Sequence, residues 1–162
     1  EKETAKHNYM TAAYASTIAD WVKAGGVLVL LGNNSVNAEQ KHINLLAEKF
    51  GIRFNGDDQL MVKGNNYEQG AVAIDAGNPV FKNTKKIYIK EISSLTVSAP
   101  AKPILKKGFD VMATAKYGKG TVFVLGDPWI YNEYVDGRKL PAEYQNFSGA
   151  NDLVKWLLQN AR

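Results

Sequence analysis

One stretch constrains the fold more than any other: Gly25-Gly26, then the run VLVLL from Val27 to Leu31, then Gly32-Asn33. The five apolar residues do not alternate with polar ones. The strand they predict is therefore apolar on both faces, as in a parallel sheet covered by helices. Helical patterns stand on either side. Upstream, Thr11 is a candidate N-cap, and Tyr14, Ala15, Ile18, Trp21 and Val22 recur at helical spacing until Gly25-Gly26 ends the pattern. Downstream, Asn37 with Gln40 three residues later has the form of a capping box. Ile43, Leu46, Ala47 and Phe50 make an apolar stripe, and Gly51 stops it.

Helix, buried strand, helix is half of a doubly wound pattern. The expected fold class is α/β: a doubly wound, mainly parallel sheet with helices on both faces and an antiparallel hairpin extension. Such domains open on a strand and none precedes Thr11, so a first strand is expected upstream of Glu1, the chain being a fragment of a longer protein. Residues 1–10 read as an irregular polar arm, and 11–162 as one domain.

Beyond Gly51 the character changes. Residues 52–81 hold short alternating pieces separated by Asn55-Gly56, Gly64-Asn65-Asn66 and Gly77-Asn78-Pro79 turns. A further alternating piece places Ile87, Ile89 and Ile92 on one side. FDVMATAKYGKGTVFVLGD, from Phe109 to Asp127, reads as two strands joined by a tight turn at Tyr117-Gly118-Lys119-Gly120. A long loop then runs from Asp127 to Gly149. The chain closes on a helix capped by Ser148 or Asn151, with Leu153, Val154, Trp156 and Leu157 as its buried positions.

Composition excludes several functions. At 162 residues the chain is long enough to bury a core. The net charge of +4 comes from scattered lysines, without the basic stripe that nucleic-acid binding favours, so no nucleic-acid partner is expected. No stretch has the roughly 20 apolar residues of a membrane span. With no cysteine there is no thiol nucleophile, disulfide or thiolate metal site. His7 and His42 stand far apart without ligand spacing, so neither a metal nor a cofactor is expected. A periplasmic or secreted location is expected over a cytoplasmic one.

Two predicted strands end in polar residues, at Asn33-Asn34 and at Asp127. Where an α/β sheet is open, ligands bind beyond the carboxyl ends of its strands. If these two strands are neighbours, Asn33, Asn34 and Asp127 converge on one rim; as turn formers, they could equally serve the backbone alone. Trp129, Tyr131, Asn132 and Glu133 follow closely. Rings beside amides and a carboxylate suit sugar recognition, since a ring covers the apolar sugar face while polar groups bond the hydroxyls. The competing reading makes these aromatics anchors for the loop. Nucleophilic catalysis has little to build on: no Gly-x-Ser-x-Gly elbow is present, and Ser35 has no spacing argument linking it to His42. Asp57-Asp58, after Asn55-Gly56, read as a solvated turn. No catalytic residue is assigned.

The segments IADWVKAGGVLVLLGNN, LAEKFGIRFN and AKYGKGTVFVLGDPWIYNEYVDGRKLP together resemble the glutamine-amidotransferase-like (flavodoxin-like) domain appended to bacterial unsaturated rhamnogalacturonyl hydrolases. Gly118, Gly120, Asp127 and Asn132 are the matching positions of the strand-and-loop pattern. The amidotransferase cysteine is absent, and nothing resembles the hydrolases' helical catalytic barrel. The resemblance thus implies a non-catalytic accessory domain of a pectin-degrading enzyme, partnered by the parent's catalytic domain and by oligosaccharide. Two alternatives remain open at this stage: a small hydrolase using Asp127 or Glu133 as acid or base, and a purely structural interface domain.

Overall fold

The computed structural model describes residues 8–132, 135–136 and 139–161. Three helices and eight strands follow the order α1 (Ala12–Ala24), β1 (Val27–Leu31), α2 (Gln40–Ala47), β2 (Ile52–Phe54), β3 (Ala71–Ala73), β4 (Lys86–Tyr88), β5 (Leu95–Val97), β6 (Ala101–Lys106), β7 (Asp110–Tyr117), β8 (Gly120–Leu125) and α3 (Asn146–Asn160). Six strands form one sheet in the order β1-β8-β7-β5-β2, with β6 also on β7, while β3 and β4 make a separate two-stranded ribbon.

This is not the doubly wound parallel sheet the sequence suggests. Among the described residues only β1 and β8 run parallel, with Val27 opposite Thr121 and Leu31 opposite Leu125. The pairs β7–β8, β5–β7, β6–β7 and β2–β5 are all antiparallel. The reason is visible in the connections. A parallel crossover needs a dozen or more residues, usually a helix. Among the described residues no α-helix lies between α2 and α3, so the intervening strands fold back on one another. Nor is β1 an interior strand; it is the sheet edge, and Leu31 is exposed.

The strand buried on both faces is β8, all six of whose residues are buried. Val122 and Val124 point to one core, packed with Ala15, Ala19 and Val22 of α1 and Leu46 and Ala47 of α2. Phe123 and Leu125 point to the other, with Ala150 and Leu153 of α3 and with Val72 and Ile87 of the ribbon. Ile87, Ile89 and Ile92 share this second core, as their alternation suggests.

Local signals fare unevenly. Thr11 caps α1, its Oγ1 accepting from Tyr14 N at 3.2 Å, and Gly25 closes the helix. Tyr14 and Trp21, however, lie outside the core stripe. Helix α2 is capped by Glu39, which accepts from His42 N, so Asn37 and Gln40 form no capping box. Helix α3 starts at Asn146, ahead of both Ser148 and Asn151, and Val154 is exposed. The hairpin turn is as expected, with Tyr117 opposite Gly120 and Gly118 at φ +58°. Gly120 has a further role: a Cβ there would lie 1.9 Å from the Val22 carbonyl oxygen, because the turn presses on the end of α1.

Candidate functional site: the strand-end rim

The parallel pairing of β1 and β8 puts their carboxyl ends side by side, and Gly32 N donates to Leu125 O at 2.8 Å. Asn33, Asn34 and Asp127 therefore do stand at one end of the sheet. Two of them are committed to the loop after β1. Asn34 is buried, and its Oδ1 accepts from Asn37 N at 3.1 Å and Asn37 Nδ2 at 2.8 Å. Asn33 Oδ1 accepts from Asn34 N, and its carbonyl accepts from Gln40 Nε2 at 2.7 Å.

Asp127 differs. It is only 4% exposed, and its Oδ1 accepts from Trp129 N at 2.9 Å, capping the 3-10 turn Pro128–Tyr131. Burial pushes its carboxyl up to about 7, the charge of nearby Glu91 adds to the rise, and the Trp129 N–H and Lys90 oppose it. Glu91 holds a left-handed backbone (φ +54°), unusual for a residue with a side chain, and pairs with Lys90 at 3.2 Å.

Trp129 is half-buried. It stands edge-on to Tyr88 at 5.8 Å, and Lys90 Nζ lies 5.1 Å from its ring centre. Both contacts fit an anchor for the segment, the competing reading of the sequence. Tyr131 is partly exposed, with its phenol raised by burial. The carbonyl of Asn132 accepts from Val135 N at 3.1 Å. Glu133 lies outside the described residues, as do Tyr134 and Arg138.

The rim also holds residues that the sequence left aside. Asp57, read as solvated, bridges to the chain before β5: it accepts from Ser94 N at 2.7 Å, Ser94 Oγ at 2.8 Å and Gln59 Nε2 at 2.8 Å. Burial alone would raise its carboxyl, but these donors outweigh burial and hold it below its ordinary value. Ser93 Oγ accepts from Gly56 N at 2.8 Å. Gly126 packs so closely on Ser93 that a Cβ would lie 1.9 Å from the Ser93 carbonyl oxygen. Gly126 therefore permits this approach, whereas in the sequence it reads only as a turn former. Gln59 is a local partner of Asp57, but Ser94 stands 37 residues away in the chain, and no local pattern signals it.

Chemically, the rim offers one carboxyl poised near neutrality and a second carboxylate at Glu91. No group of three or more His, Cys, Asp or Glu residues that could hold a metal occurs among the described residues. His42 is elsewhere, stacked on Tyr9 at 4.3 Å and bonded to Glu39. No helix of the described residues is long and apolar enough to cross a membrane.

No protein-family description and no curated protein sequence matches the chain. Its fold does have counterparts among solved structures. The chain is similar to the mmIFT52 N-terminal domain, with a TM-score of 0.69 and 20% identity, over 91% of this chain and 72% of that one. It is also similar to a β-galactosidase from Bacillus circulans sp. alkalophilus, with a TM-score of 0.61 and 12% identity, over 93% of this chain and 21% of that one. A β-galactosidase from Rahnella sp. R3 gives 0.56 and 16% identity, over 90% of this chain and 20% of that one. The chain thus spans about a fifth of each galactosidase, and at these identities the likeness is one of fold.

Proposed function

We propose that this chain is a non-catalytic accessory domain of a carbohydrate-active hydrolase, contacting oligosaccharide or the parent's catalytic domain. The observation that carries the reading is the match of nearly the whole chain to only a fifth of two β-galactosidases. A unit of this fold thus occurs as a part of larger glycosidases. The rim supports the non-catalytic half: Asn33, Asn34 and Asp57 are spent on loop hydrogen bonds, and Asp127 caps a turn. The resemblance of the sequence to domains of unsaturated rhamnogalacturonyl hydrolases makes pectin-type fragments the first ligands to try.

One observation favours a second reading, a small hydrolase. A buried carboxyl raised to about 7 beside another carboxylate is the form a general acid takes. Calorimetric titration with rhamnogalacturonan oligosaccharides, with product analysis on the same sample, separates the two. Saturable heat without cleavage, retained in Asp127→Asn, is expected. Cleavage that disappears in Asp127→Asn would establish the hydrolase instead, and no heat at millimolar ligand would count against saccharide contact.

A further inference from the structure

The end of the sheet opposite the rim carries a half-exposed indole face without a partner. Of the three tryptophans, Trp129 is covered by Tyr88 and Lys90, and Trp156 packs towards Phe123 at 6.3 Å. Trp21, in the last turns of α1, is 52% exposed. Its ring lies against Gly26, where a Cβ would fall 2.5–2.6 Å from three ring carbons. One face of the indole therefore rests on bare backbone and the other is open to solvent.

The β7–β8 turn brings a cation to the same place. Lys119 N donates to Lys23 O at 2.9 Å, and Gly118 and Gly120 allow the turn to touch the end of α1. Lys119 and Trp21 then line one shallow groove of about 690 Å³, whose other walls include the small residues Ala24, Gly25, Gly26 and Ala161. Neither the indole nor the Lys119 ammonium has a hydrogen-bond, ion-pair or ring partner among the described residues. The backbone around them is already committed: Gly25 N donates to Val22 O, Gly26 N to Trp21 O, and Gly26 O accepts from Thr121 N.

We propose that this groove, at the amino end of β1, binds a carboxylated saccharide. The open indole face suits the C–H face of a pyranose ring, and its N–H can donate to a hydroxyl. The small wall residues leave room for a ring lying flat. Lys119 supplies the counter-charge for a carboxylate, which a neutral sugar would leave unused. The Gly25 N–H and the Gly26 N–H and carbonyl are taken, so recognition within the groove falls to the side chains of Trp21 and Lys119. This inference rests on the carbohydrate reading above and adds a location and a charge to it.

The test is a titration of the ¹⁵N-labelled chain with an oligogalacturonate, and separately with a neutral oligogalactoside of the same length, following the three indole N–H signals and the backbone amides of the groove and the rim. Trp21→Phe assigns the Trp21 signal. The expected result is a saturable shift of that signal with the carboxylated ligand. Trp21→Ala should abolish binding. Lys119→Ala, on an exposed turn and harmless to the fold, should weaken it about threefold to fivefold, as an exposed ion pair would, and leave any neutral-sugar response unchanged. Shifts confined to rim residues would overturn the groove while leaving saccharide contact intact. No shift anywhere would sink both readings. A Trp21 signal that moves with protein concentration alone would assign the face to a second copy and overturn the proposal.

Discussion

Two buried aspartates in this chain have opposite surroundings. At the junction of α3 with the loop before β4, Asp152 accepts from Asn83 N at 2.7 Å, Asn83 Nδ2 at 2.8 Å and Thr84 Oγ1 at 2.9 Å. Burial would raise its carboxyl, yet those donors hold it below its ordinary value. At the rim, Asp127 is as closed to solvent as Asp152 but lies deeper among protein atoms, accepts from Trp129 N and faces Glu91; burial above all raises it to about 7. The charge of a carboxyl is set by the balance of burial against aimed donors: Asp127 is the more deeply desolvated and has one donor, whereas Asp152 has three. The first region is a clamp that favours the ion. The second tolerates an acid that would rather be neutral, and such groups are where function or a structural compromise is found.

The largest expected effect is on the clamp. Asp152→Ala would remove the acceptor of one backbone N–H and one side-chain amide, both of Asn83, and leave the buried Thr84 hydroxyl only Ser148 Oγ, at a cost of about 2 kcal/mol, read by urea unfolding at pH 7. A cost below about 1 kcal/mol would mean that the clamp does not hold α3 to the ribbon as described. The same surroundings make Asp152 and Asp57 contribute stability that is lost as pH falls below about 3.8, the ordinary value of an aspartate.

A smaller effect of opposite sign is expected at the rim. The native Asp127 carboxyl keeps a proton that the unfolded chain releases near 3.8, so stability due to this group falls as pH rises from about 4 to about 7. Asp127→Asn retains an oxygen to accept from Trp129 N and carries no charge. The variant should match the parent near pH 4 and exceed it at pH 8 by about 1–2 kcal/mol. Equal stability at both pH values would remove the contrast between the two aspartates.

How legible these regions are in the sequence follows from the range of their contacts. The cap at Thr11, the Gly118-Lys119 turn and the two apolar strands are set by neighbours within a few residues, and all appear where the pattern puts them. The sheet's direction is not. β2 and β5 are three residues each, too short for periodicity to speak, and their pairing joins Ile52 to Val97. VLVLL reads as a strand covered on both faces, but its five apolar residues lie at a sheet edge, and the pattern of one strand does not say how many neighbours it has. The same limit hides Asp57, whose distant donors come from Ser94, and Asp152, whose donors come from Asn83 and Thr84 some 70 residues earlier. Asp127 was legible because β1 and β8 are the two continuous apolar runs and end together. Its raised carboxyl was not, since the burial that raises it and the added charge of Glu91 come from residues distant in the chain.

The most direct test of the contrast is a carbon-detected NMR titration of the side-chain carboxyls of the intact chain. Asp127 is predicted to titrate near pH 7, with Asp57 and Asp152 both below 3.8. If Asp127 instead titrated near pH 4, the ordinary range of an aspartate, the rim would hold an ordinary solvated carboxylate and the account given of it would be wrong.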